Sequence, residues 1–141
     1  MTGDRVFLDT VFVQALLNKD DQYHPQAKRL FPRVRAAREV WLTTAVLLEV
    51  GNALSGIDRG AAATFIRRCF ETPNMHVAEV DQPLLVRGLQ LFEHRPDKTW
   101  SLTDCISFTV MDDLGILDAA TADQHFVQAG YRALLAEPGQ V

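Results

Sequence analysis

Val6-Phe7-Leu8-Asp9-Thr10 is a short apolar run ending in a carboxylate, and Phe12, Val13, Leu16 and Leu17 follow it at helical spacing. A strand that turns at once into a helix is the usual opening of a parallel α/β domain. The alternation continues outward from there. Residues 24–38 read as a second helix, with Ala27, Leu30, Phe31 and Val34 on one face and Pro32 predicting a kink or break. Residues 40–43 form a second strand. Thr43 or Thr44 then caps a helix whose stripe runs Val46, Leu47, Val50, Ala53 and Leu54. Asp58 caps another, striped by Ala62, Phe65, Ile66, Cys69 and Phe70. Residues 75–80 make a third strand, and Asp81 caps a helix with Leu85, Leu89 and Phe92 inward. A helix stopped at Gly115, a strand at 116–120, a short helix at 124–128 and a last strand at 131–135 complete the chain. The pattern predicts a single α/β domain over residues 1–135. It has five mostly parallel strands with helices on both faces, and a loose C-terminal tail at 136–141.

The composition narrows the function classes. With 48% apolar and 23% charged residues, neither disorder nor a coiled coil is indicated, and no apolar run is long enough to span a membrane. Asp4 and Asp9 interrupt the N-terminal segment, which lacks a signal-peptide hydrophobic region. Cys69 and Cys105 fall on helix core stripes and read as buried thiols, so a cytoplasmic location is expected. The net charge of −4 argues against a protein that coats nucleic acid by bulk charge. It leaves open an enzyme that holds a cation in an acidic pocket. Lys28, Arg29, Arg33, Arg35 and Arg38 form the densest positive cluster, either a solvated face or an RNA contact.

The second informative stretch is residues 98–110. Ser101 lies three residues before Asp104, and Leu102, Cys105, Ile106 and Val110 follow at helical spacing. This predicts a helix start with Ser101 as cap, Asp104 at the third position, and Trp100 and Cys105 closing over the first turn. Alone, Asp104 is a capping carboxylate. Its company changes the reading, because the functional crevice of an open α/β sheet lies beyond the carboxyl ends of the strands. Asp9 and Asp123 fall at strand ends, and Glu49 and Asp104 fall in the first turns of helices. Each has a plainer role available: Asp9 and Asp123 could cap helices, and Glu49 could pair with Arg67 or Arg68. If the four converge, any two carboxylates about 4 Å apart repel by roughly 4 kcal/mol at an effective dielectric near 20. Such a cluster holds protons or a cation. Oxygen ligands select Mg²⁺ or Mn²⁺, which complete their shells with water and substrate phosphate, and phosphodiester hydrolysis is the matching reaction. Asp112, Asp113 and Asp118 read as a solvated helix end and turn. His24 and His125 have packing roles and stand outside the set.

Phe7-Leu8-Asp9-Thr10, Glu49, the run from Ser101 through Asp104 to Phe108, and Thr121-Ala122-Asp123-Gln124-His125-Phe126 together resemble a PIN domain. The order is the expected one, and the resemblance covers nearly the whole chain. It is nearest the small stand-alone type that includes VapC-like toxins. The resemblance implies a metal-dependent endoribonuclease with Asp9, Glu49, Asp104 and Asp123 as the catalytic, metal-binding set and Mg²⁺ or Mn²⁺ as cofactor. Thr10 and Ser101 would support those ligands. It further implies an RNA substrate, a small antitoxin as partner and a homodimer. Lys98, Arg35 and Arg38 are candidate substrate contacts. Three other readings compete: a PIN nuclease of RNA processing or DNA cleavage without an antitoxin, a catalytically silent metal-binding scaffold, and a phospho-acceptor domain. The last usually needs a lysine after the final strand, and no lysine follows Lys98.

Overall fold

A computed structural model describes residues 3–135, so the tail expected at 136–141 lies outside the described residues. The chain runs β1 (Arg5–Leu8), α1 (Thr10–Leu17), α2 (His24–Ala36), β2 (Glu39–Thr43), α3 (Thr44–Leu54), α4 (Arg59–Glu71) and β3 (Met75–Ala78). It continues α5 (Gln82–His94), α6 (Leu102–Leu114), β4 (Asp118–Ala120), α7 (Gln124–Gln128) and β5 (Arg132–Ala133). The five strands form one sheet in the order β3-β2-β1-β4-β5, and every pair is parallel. β1 is central. Val6, Phe7 and Leu8 are all buried, as a strand covered on both faces requires. The order runs outward in both directions from β1, which places the topological switch point between β1 and β4. Among the described residues, no helix is long and apolar enough to cross a membrane.

Several strands are shorter than their apolar runs because neighbouring caps claim their ends. Ile116 N donates to Met111 O at 3.0 Å, which closes the end of α6 after left-handed Gly115 (φ 68°), so β4 begins only at Asp118. Val80 N donates to the Thr44 hydroxyl at 2.9 Å and leaves the ladder, so β3 stops at Ala78. Pro32 does not break α2, which continues through it. Lys28, whose carbonyl Pro32 leaves unbonded, is exposed and open to water.

The helix faces correct the stripe reading on four helices. Ala53 and Phe31 are exposed, and so is Phe70 at 65%. On α5 the expected inward set, Leu85, Leu89 and Phe92, faces out, while Gly88 is buried and Leu84 and Leu91 pack on the core. Gly88 is the reason. A Cβ there would lie 2.6 Å from Ile106 Cγ1 and 3.3 Å from the Ile106 backbone, so the glycine lets α5 press against α6 and selects that face. The two buried thiols, Cys69 and Cys105, are free as expected.

At the sheet's N-terminal edge, ion pairs replace apolar contacts. Arg33 reaches Asp4 (2.9 Å) and Asp118 (2.8 Å), Arg132 pairs with Asp118 (2.5 Å), and Arg5 pairs with Glu39 (3.0 Å). Asp118 is thus an ion-pair centre rather than a solvated turn. Asp113 is held by Arg87 (2.7 Å), and Asp112 accepts from the Tyr131 hydroxyl. Arg5 also donates Nη1 to Leu114 O at 2.7 Å, tying the base of β1 to the end of α6.

Gly88→Val should lower unfolding free energy by about 2 kcal/mol in chemical denaturation, since overpacking outweighs any gain in helix propensity. An unchanged midpoint would mean that α5 can stand off from Ile106.

Candidate active site

Asp9 follows β1 directly, and its backbone N–H extends the ladder to Ala120 O (3.3 Å). The side chain is only 4% exposed. Its Oδ2 accepts from the Thr121 hydroxyl at 2.8 Å, a bond that spans the switch point from the end of β1 to the end of β4. The same hydroxyl accepts from Asp123 N at 3.0 Å. One buried threonine therefore positions two of the expected carboxylates. Burial pushes Asp9 up from 3.8 to about 7. The Thr121 bond opposes the rise, and the nearby Asp104 and Asp123 charges add to it.

Asp104 is set by the local start of α6. Asp104 N donates to Ser101 Oγ at 3.0 Å, and Asp104 Oδ2 accepts from Ser101 N at 3.1 Å, completing the capping box. The second carboxyl oxygen is not used by the box. Burial raises the Asp104 pKa, the Ser101 N–H opposes that, and the Asp123 charge adds to it. Asp123 caps α7, accepting from His125 N at 2.9 Å. Asp9, Asp104 and Asp123 thus occupy one rim, close enough for the Asp123 charge to raise the pKa of both other acids.

Glu49 is attached rather than central. The Thr10 hydroxyl donates to Glu49 Oε1 at 2.6 Å, and the Thr10 backbone N–H supports the Asp9 carboxylate. Glu49 has no arginine partner among the described residues.

His125, left outside the expected set, lies inside the cluster. Its Nδ1 is 2.9 Å from Asp104 Oδ2 and 3.2 Å from Asp123 Oδ1, while Nε2 is 3.2 Å from the Thr99 hydroxyl. A proton on Nδ1, with Thr99 donating to Nε2, satisfies all of these contacts. Asp104, Asp123 and His125 each offer a ligand atom within 4.8 Å of the others. Asp123 and His125 are two apart at the start of α7, a spacing visible in the sequence. Thr121 stood in the same motif, but its role depends on a strand pairing that no local pattern reveals. His24 is elsewhere, bonded to Ala15 O at 2.7 Å.

Lys98 lies beside the site, its Nζ 4.0 Å from Asp97. Arg35 and Arg38 do not join it. Arg35 stands over the Phe31 ring (5.8 Å), and Arg38 N bonds Asp4 O (2.8 Å) at the sheet's opposite edge. About 13 Å of strand separates that edge from the carboxylates.

The donor set fits a hard divalent cation. Two carboxylates and an imidazole converge, a third carboxylate lies near enough to feel their charge, and that buried acid is destabilised as an anion unless positive charge compensates it. Asp104, Asp123 and His125 have the closest ligand geometry, with Asp9 adjoining them.

A sequence model of the PIN domain matches residues 6–130. The 23S rRNA-specific endonuclease VapC20 of Mycobacterium tuberculosis is 32% identical over 130 residues, covering 89% of this chain and 95% of that protein. The crystal structure of Mycobacterium tuberculosis VapC20, described as a sarcin–ricin loop cleaving toxin, superposes with a TM-score of 0.80 at 28% identity, covering 90% and 96% of the two chains. FitAcB from Neisseria gonorrhoeae superposes at 0.61 with 14% identity over 91% and 95%, a likeness of fold alone.

The raised Asp9 pKa gives metal-free protein a definite pH dependence. The native chain holds more protons than the unfolded chain between 3.8 and about 7, so this group's contribution to stability falls as pH rises through that window. In EDTA, Asp9→Asn should raise stability at pH 8 by on the order of 2 kcal/mol and flatten the slope between pH 5 and 8. Parallel urea midpoints for the two proteins across that range would contradict the burial argument.

Proposed function

The chain belongs to the PIN domain family, and from that premise we propose that it is a divalent-metal-dependent endoribonuclease, the toxin of a toxin–antitoxin pair. The observation that carries this reading is the convergence of Asp9, Asp104 and Asp123, with His125, at the switch point of the sheet. The likeness to VapC20, a 23S rRNA-specific endonuclease, supports ribosomal RNA as the substrate class, with a sarcin–ricin-type hairpin as the first candidate.

Asp9, Asp104, Asp123 and His125 would hold Mg²⁺ or Mn²⁺, with Glu49 joining through Thr10. When bound, the ion supplies a water activated for attack and charge compensation at the phosphate. The chain's own work is placement. Thr121 fixes Asp9 relative to Asp123, Ser101 fixes Asp104, and Thr10 fixes Glu49. Lys98 is the cation best placed to meet a phosphate next to the one cleaved. Arg35 and Arg38 enter only as contacts for an RNA long enough to pass the far edge of the sheet.

The partners follow from the same reading: a small antitoxin that inserts near the acidic site, a second copy of the chain, and a cytoplasmic setting. For the second copy, α5 presents Leu85, Leu89 and Phe92 at 41%, 41% and 45% exposure on one face, the kind of patch that marks an interface. Leu89→Glu should convert a dimer to a monomer in analytical ultracentrifugation, and an unaltered sedimentation profile would move the interface elsewhere.

Cleavage of a labelled sarcin–ricin hairpin with Mg²⁺, Mn²⁺ or EDTA tests the activity. Wild type should cut only with the divalent ion, and Asp104→Asn should lose at least about a hundredfold in rate while melting normally, because Asn keeps the shape of the cap. A folded Asp104→Asn protein that cuts as well as wild type would defeat the assignment.

A further inference from the structure

The loop between α5 and α6 contains a second built feature, next to the carboxylates and separate from them. Arg95 donates Nε and Nη2 to the two oxygens of Asp97, each at 3.0 Å, which holds the guanidinium flat. Its Cζ lies 5.0 Å from the centroid of the Trp100 ring. Trp100 is itself fixed from behind: Nε1 donates to Gln128 Oε1 at 3.1 Å, and the ring meets Phe108 edge-on at 5.1 Å. Arg95 and Trp100 line a hollow of about 300 Å³, with Phe92, Glu93 and Lys98 as further walls and Cys105 beside Asp104. Thr99, in the same loop, contacts His125 Nε2 at 3.2 Å, and His125 joins Asp104 and Asp123. The hollow is therefore one residue away from the cluster.

We propose that this hollow is a nucleobase subsite, in which the base of a nucleotide beside the cleaved phosphate stacks on the Arg95 plane. The inference rests on the nuclease reading and adds a residue to it. Single-stranded RNA is recognised largely by stacking unpaired bases on aromatic rings and guanidinium planes. Here the guanidinium already lies over the ring, and both side chains are held by hydrogen bonds, so less ordering is left for the ligand to impose. Charge excludes the simpler occupant. Glu93 lines the hollow with Arg95 and Lys98, and both cations already face Asp97 just outside it, so little positive charge is left to hold an anion. A neutral, flat ring needs none. The size also suits one ring system, at the small end of ligand pockets. Arg95 Nη1 has no partner among the described residues and is available to an acceptor on the base edge.

The test compares binding of short labelled oligoadenylate with that of an abasic ribose-phosphate strand of the same length, in EDTA, by fluorescence anisotropy. Wild type should bind the adenylate about tenfold more tightly than the abasic strand. Arg95→Lys keeps the charge and removes the plane. At a half-exposed position it should fold normally, erase the difference and leave abasic binding unchanged. A difference that survives in Arg95→Lys, or is missing in wild type, overturns the subsite. Sarcin–ricin hairpin cleavage with Mn²⁺ in parallel separates the two claims. Wild type that cuts but shows no Arg95-dependent base preference defeats the subsite alone. Wild type that shows the preference but cuts nothing leaves the subsite standing and defeats the nuclease reading.

Discussion

The site depends on one carboxylate that the fold removes from water. Asp9 is carried into the sheet's switch point by the most buried strand in the molecule, and only the Thr121 hydroxyl and the Thr10 backbone offset the loss of hydration. Burying an uncompensated anion costs far more than a hydroxyl bond returns. The metal-free protein therefore resolves the conflict with a proton. Asp104 and Asp123 then approach a position where negative charge is already disfavoured, and their charges make Asp9 harder still to ionise. A cation is the other way out, and the two resolutions exclude each other.

Around that constraint, local structure does double duty. Asp104 is at once the third residue of a capping box and a member of the cluster, and Asp123 is both the cap of α7 and its neighbour. The capping role of these acids leaves room for a functional one. A helix start leaves N–H groups without partners, and an acid that satisfies one with a single oxygen still has another to offer. Helix starts on one rim of the sheet thus deliver oriented carboxylates without a dedicated scaffold.

How much of this was legible follows from the range of each interaction. The strand-helix alternation and the Ser101–Asp104 box are local, and the five-stranded parallel sheet was readable from them. The face of α5 was not. Leu84, Leu85, Val86, Leu89, Leu91 and Phe92 supply apolar residues on both sides, so hydrophobicity could not choose between them. The choice fell to Gly88, where backbone proximity to Ile106 outweighs side-chain burial. Strand ends at Val80 and Ile116 were missed for a related reason: apolar residues continue, while their N–H groups are taken by Thr44 and Met111. Thr121 and His125 were in view as residues, but their partners lie in α6 and after β1, across the sheet. Arg35 and Arg38 were singled out by charge density alone, and charge density does not say which end of a strand a helix return faces.

The Arg5–Leu114 bond gives the arrangement a mechanical meaning. β1 and α6 run in opposite chain directions and are pinned together at the base, where Arg5 grips the helix's last turn. Asp9 and Asp104 stand at the other ends, joined there by a side-chain relay through Thr121, Asp123 and His125. The two rods form a fork whose open end is held by that relay. An ion gripped by both would close the fork into a frame, so that the element performing the chemistry would also be the brace that stiffens it.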